Sequence, residues 1–157
     1  MLKNKRAEGY ILPCVMIVIV CMLLSVFVVF FNSVNVVRMT ERNSKTVLES
    51  YLMKNSILIY NSIKQGNDVT ASLDTADYIN KLCEFCTLEK IGNKLYSMDE
   101  DRRVKYYISI PQVGFTQDNH LKLYVSYTVY VPLYFNGTKV STAIIPMTVK
   151  LNLDEKF

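Results

Sequence analysis

Residues 11–31 read ILPCVMIVIVCMLLSVFVVFF, and this stretch decides how the rest of the chain is read. Of its 21 residues 19 are apolar; only Pro13 and Ser25 interrupt it, and it carries no charge. At ~1.5 Å of helical rise per residue it covers about 30 Å, the hydrocarbon thickness of a bilayer. A secretory signal has a shorter apolar region, about 7 to 15 residues, followed by small residues at a cleavage site. Here the run leaves through Phe30, Phe31, Asn32, Ser33 and Val34, so a retained transmembrane helix is expected. The 157-residue chain is 50% hydrophobic, and outside this stretch the composition returns to that of an ordinary globular domain. A wholly soluble protein, a multi-span channel and a disordered tail are thereby excluded.

The charges divide along the same line. Residues 1–66 hold eight Lys/Arg against three acids, whereas 67–157 hold ten against eleven, for a net charge of +4. Positive charge beside the span suits anionic headgroups, which makes membrane lipid an expected partner. A nucleic-acid-binding domain would carry a basic stripe on its folded part, so nucleic acid is not expected. Lys3, Lys5 and Arg6 oppose Arg38, Arg42 and Lys45 across the span. The crowding of the first three close to the span favours a cytoplasmic N-terminus and an extracytoplasmic C-terminal domain in a single-pass cell-membrane protein.

After the span no Gly or Pro occurs before Gly66. Val34, Val37, Val47, Leu48, Tyr51, Leu52, Leu58, Ile59 and Ile63 recur at helical spacing, with Arg42, Asn43, Lys45, Glu49, Lys54, Asn61 and Lys64 on the other side. The stripe weakens between Thr40 and Thr46, where a joint or solvent-exposed turn is expected. A continuous helix over residues 11–65 would be roughly 80 Å long. Gly66-Asn67-Asp68 stops it. A second, short helix fits Asp74 to Cys86 with Asp74 or Thr75 as its N-cap, and Gly92-Asn93 breaks it.

From Lys94 the period becomes two. Lys94–Met98 and Val104–Ile110 flank the turn Asp99-Glu100-Asp101, with Tyr106, Ile108 and Ile110 on one face. Leu121–Tyr134 puts Leu121, Leu123, Val125, Tyr127, Val129 and Val131 on one face; Lys139–Leu153 does so with Ile145, Met147, Val149, Leu151 and Leu153. Asn136-Gly137 between them is the turn that a tight hairpin requires. Pro132 and Pro146 mark edges, bulges or strand ends. The expected fold is α+β: a long N-terminal helix, transmembrane then amphipathic, packed on a four-stranded antiparallel meander. Its organisation is a basic leader (1–10), a transmembrane helix (11–31), an amphipathic stalk helix (32–66) and an extracytoplasmic α+β domain (67–157).

No catalytic constellation emerges, and the chain does not read as an enzyme. Cys83 and Cys86 lack the further ligands of a zinc site, since Cys14 and Cys21 lie in the span and His120 is the only histidine. They read as a local disulfide or as two buried thiols. Asp118-Asn119-His120 has no accompanying nucleophile motif and reads as a polar loop. Asp99-Glu100-Asp101 lacks EF-hand spacing, and Asn136-Gly137-Thr138 reads as a turn before a glycosylation site. No metal and no cofactor is expected. Tyr106, Tyr107, Tyr124, Tyr127, Tyr130 and Tyr134 lie on strands, where a solvent-facing row would form a binding surface.

The layout of basic leader, boundary glycine, span, amphipathic helix and small sheet resembles type IV pilins and pseudopilins. Lys5-Arg6-Ala7-Glu8-Gly9-Tyr10 followed by the apolar run is similar to the N-termini of TadE-like pseudopilins of tight-adherence (Flp-type) pilus systems. The Tyr-rich terminal hairpin, Tyr124–Tyr134 with the strand to Leu153, is similar as well. The resemblance implies a pilin-like fold and a prepilin-type processing boundary between Gly9 and Tyr10. It also implies association with other pilin-like or pilus-assembly subunits through the N-terminal helix. Pilins carry a glutamate at the fifth mature position; Cys14 stands there in this chain, which implies a membrane-retained accessory subunit and not a major pilin.

Overall fold

A computed structural model describes residues 5–117, 121–135 and 137–152. In chain order the elements are α1 (Lys5–Gln65), α2 (Val69–Ser72), α3 (Thr75–Cys86), β1 (Glu89–Ile91), β2 (Lys94–Met98), β3 (Val104–Ser109), β4 (Gln112–Gln117), β5 (Leu121–Phe135) and β6 (Thr138–Asn152). The fold is α+β, and backbone proximity divides the chain into two units, Met1–Asn35 and Val36–Phe157.

In the first unit the helix carries its apolar side chains on every side. Across residues 11–31 all are exposed except the half-buried Ser25 and Val29. Ser25 donates its hydroxyl to the Met22 carbonyl at 2.7 Å, so the one hydroxyl in the run is satisfied within the helix. Pro13 lies inside the helix, a position tolerated more readily in apolar spans than in soluble helices. Among the described residues this is the one helix long and apolar enough to cross a membrane.

The second unit is built around a conventional core. The α1 residues Val47, Leu48, Tyr51, Leu52 and Ile59 are buried with Tyr78, Ile79 and Leu82 of α3 and with the inward residues of the sheet. These α1 residues recur every three or four positions because a sheet can cover only one side of a helix. Leu58 falls off that face and is 40% exposed. Gly66 takes φ +69°, and Asn67 N–H reaches the Ser62 carbonyl at 2.9 Å, which closes the helix with a left-handed cap. Asp74 then caps α3 by accepting from Ala76 N–H at 2.9 Å. Its other end is Thr87, a β-branched residue held at φ 52°, with Leu88 N–H on the Cys83 carbonyl at 2.9 Å.

All strand pairs are antiparallel, and β5 organises them. It pairs with β6 from Lys122↔Asn152 to Phe135↔Thr138. The opposite edge is shared: β4 takes Leu121 to Ser126, and β3 takes Val129 and Tyr130. Ile108 faces Val129 and Gln112 faces Ser126, so four steps along β3–β4 match three along β5. The extra residue at Ile110-Pro111 reverses the alternation, as a bulge does, and lets Tyr106, Ile108 and Val113 all enter the same core. β2 and β1 continue the sheet beyond β3.

Among the described residues six strands replace the expected four. β1 has three exposed residues, too few for a periodic signal. β4 contains Gly114, which weakens its strand signature; a Cβ there would lie 2.5 Å from Tyr124 Cζ, so the glycine makes room for the opposing ring. Gly92-Asn93 is the turn between β1 and β2 and not the end of α3, which stops at Cys86. The joint expected between Thr40 and Thr46 is also absent, because α1 continues through it. The prolines behave as their missing donors require. Pro132 sits where the β3–β5 ladder has ended, and Pro146 lies on the edge strand β6. Leu153, expected on the inward face of β6, lies outside the described residues.

Candidate functional site

The seam between α1 and the sheet is polar where the apolar stripe lapses. Thr40 and Ser44 are 3% and 0% exposed, in phase with Val47, Leu48 and Tyr51. Ser44 Oγ donates to Tyr127 Oη at 2.8 Å, and that hydroxyl donates in turn to the Thr40 carbonyl at 3.4 Å. Tyr78 Oη donates to the Ser44 carbonyl, 3.4 Å, and Tyr51 Oη to the Asp74 carbonyl, 3.1 Å. The Ser44 hydroxyl and the carbonyls of Thr40, Ser44 and Asp74 thus partner tyrosines, which bury a ring and still need a partner for the oxygen. Burial pushes the Tyr51 and Tyr127 phenols up to about 12, and it raises Tyr78 and Tyr106 as well. These groups stay neutral at physiological pH and hold the helix in register.

The residues singled out for chemistry do not converge. Cys83 and Cys86 are free, half-buried thiols on α3, both packed against the core, and burial raises both thiol pKa values. A raised pKa leaves less of the reactive thiolate. Asp99 forms an ion pair with Lys105 at 3.1 Å and is held below its usual value by that contact, in a solvent-exposed hairpin end. Among the described residues no group of His, Cys, Asp and Glu is placed to hold a metal. Asp118, Asn119, His120 and Asn136 lie outside the described residues; Gly137 takes the positive φ, +77°, that its turn needs. Gly9 and Tyr10 lie within α1. A shallow cavity of about 510 Å³ between α1 and α3 is lined by Thr46, Val47, Ser50, Lys81, Glu84 and Phe85, without a nucleophile and base in contact.

The opposite face of the sheet carries the more informative array. Register aligns Glu89, Tyr96, Tyr107, Tyr130 and Ile144 in one row across β1, β2, β3, β5 and β6. The Tyr96 and Tyr107 rings stack at 5.1 Å, and Tyr107 and Tyr130 at 4.7 Å with planes 8° apart. Lys94 Nζ lies 4.7 Å from the Tyr107 centroid and 5.0 Å from that of Tyr130. Strand alternation places Lys94, Lys105, Lys122 and Lys150 on this face with Glu89. The near-neutral domain therefore has a lysine- and tyrosine-rich face, a segregation invisible to a charge count. Alternation alone put Tyr106 and Tyr127 inward, as they are; which outward tyrosines meet across the strands depended on register.

No protein-family model matches the chain, and neither does any curated protein or solved structure.

Proposed function

We propose that this protein is a membrane-anchored, non-enzymatic pseudopilin-like (TadE-like) subunit, structural or accessory, for pilus assembly or adhesion. Its second unit would be extracytoplasmic, and its span would engage other pilin-like or assembly subunits. The observation that carries the reading is one helix, Lys5–Gln65, that is apolar on all sides over residues 11–31 and buries a single face against an antiparallel sheet farther on. The mechanism is packing. In lipid the span is solvated by acyl chains; in an assembly the same surface packs on other helices, where Ser25 permits close approach.

Mass spectrometry of the membrane-extracted protein, from cells containing a prepilin peptidase, tests maturation. A chain beginning at Tyr10 is expected, and an intact leader removes the processing claim. Photocrosslinking from Phe27 tests the partner: capture of pilin-like subunits is expected, and adducts with lipid alone would overturn the assembly role.

The tyrosine row beside Lys94 favours a second reading, a single-pass anchored binding module in which the helix is only a stalk. Deleting residues 11–31 separates the two, because a module keeps its ligand after losing its anchor whereas a pilin-like subunit loses its function with the span.

A further inference from the structure

The end of the β5–β6 hairpin exposes large apolar side chains that neither reading uses. Phe135 and Val140 are 62% and 69% exposed, and Tyr134 is 41% exposed. Isolated exposed hydrophobes need no explanation, but Tyr134, Phe135 and Val140 crowd around a single turn. The segment VPLYFNGTKVSTAII, residues 131–145, carries Lys139 as its one charge and no acid.

Contacts within the second unit fix where this end lies. Leu123 of β5 opposes Phe115, whose N–H reaches Thr70 Oγ1 at 3.1 Å, just past the C-terminus of α1. Four residues on, Tyr127 meets Ser44 and Thr40. β5 therefore runs back towards the beginning of the unit, where Val36 packs on the core. Val131 is still buried, at 2% exposed, and the hairpin continues beyond it to its turn at Gly137. Val36 follows Phe31, the last residue of the apolar run, by five residues. That length is about 8 Å of helix and at most about 17 Å of extended chain. Tyr134 Oη donates to the Val104 carbonyl at 3.3 Å, which holds the ring at the tip. A segment with exposed Phe135 and Val140, one lysine and no acid of its own matches the headgroup layer of a bilayer, where lysine keeps its charged end wet while phenylalanine and valine leave water.

We infer that the hairpin tip, through Tyr134, Phe135, Lys139 and Val140, docks on the lipid interface of the membrane that α1 spans. The second unit is then attached at two points, the chain at Val36 and the hairpin tip. This rests on the span alone and is independent of any role in pili.

The chain contains no tryptophan, so a single one reports its surroundings without background. Phe135→Trp, in the full chain reconstituted into phosphatidylcholine–phosphatidylglycerol vesicles with lipids brominated near the headgroup, is compared with Ile57→Trp at an exposed position far along α1. The expected result is a blue-shifted emission from the Phe135→Trp chain, quenched several-fold more strongly by bromolipid than that of the Ile57→Trp chain and protected from aqueous iodide. Equal, water-like behaviour of both probes in vesicles that float with the protein overturns the inference and leaves the span intact. A Phe135→Trp probe shielded from iodide and from bromolipid alike also overturns it, since protein then covers the tip. A chain that fails to float with the vesicles overturns the span and the inference together.

Discussion

Residues 11–31 and 40–62 share one helix but answer to different solvents. The first segment is apolar around its whole circumference and buries almost nothing within the protein, whereas the second alternates buried and exposed positions with helical period. The backbone conformation is the same in both. What differs is the medium that satisfies the side chains: hydrocarbon on all sides can be met only by lipid or by other apolar helices, and a single buried face is what a sheet can cover. Helicity alone therefore says little about this chain, and the angular distribution of apolar residues says most.

The sharpest break of that comparison is a matched truncation. Leu48, fully buried, should cost about 2–5 kcal/mol on replacement by alanine, while Leu23→Ala should leave unfolding of the second unit unchanged. Denaturant titration of the detergent-solubilised chain, followed by tyrosine fluorescence, measures both, and equal effects would erase the distinction. The reverse experiment places a charge in the span. Val20→Asp should disfavour membrane insertion by about 2.5–3.5 kcal/mol, read as the inserted fraction in microsomes, with no loss of stability in the sheet.

Ser44 and Ser25 sharpen the comparison at the level of single hydroxyls. Ser44→Ala removes the donor to Tyr127 in a dry seam and should destabilise by about 1–3 kcal/mol. Ser25 bonds only its own helix, so Ser25→Ala should be silent in the same titration. The seam also predicts alkaline unfolding. Tyr51 and Tyr127 have folded pKa values raised from 10.0 to about 12, so the folded state holds protons that the unfolded chain releases. Their contribution is complete below pH 10 and is lost as pH rises from 10 towards 12, which tyrosinate absorbance and circular dichroism should show as one coupled transition. The smallest effect is at Thr87: Thr87→Gly relieves a left-handed β-branched residue and should raise stability by roughly 1 kcal/mol, visible as a small increase in Tm.

Much of the fold was legible because short-range chemistry announces it. The Asp74 cap and the Gly66 stop appear where local backbone donors and acceptors need them. The alternation of Leu123 to Val131 marks an inward face before any partner strand is known. β1 and β4 were illegible for the opposite reason: three exposed residues have no period, and Gly114 is intelligible only once Tyr124 lies across it. The weak stripe at Thr40–Thr46 misled because hydroxyls were counted as solvent-facing, when the Thr40 hydroxyl is satisfied by the Val36 carbonyl and the Ser44 hydroxyl by Tyr127 arriving from the sheet.

Sequence by itself determined the long apolar helical stretch, the amphipathic continuation of its helix, the second helix and the two long strands of the hairpin, since each is written in a local pattern of side chains. Tertiary structure alone decided the bulge at Ile110-Pro111, the meeting of Ser44 with Tyr127, and the gathering of lysines and stacked tyrosines on one face of the sheet. Those features depend on strand register and on how α1 docks on the sheet, and both are set by contacts between residues far apart in the chain, which no local pattern encodes.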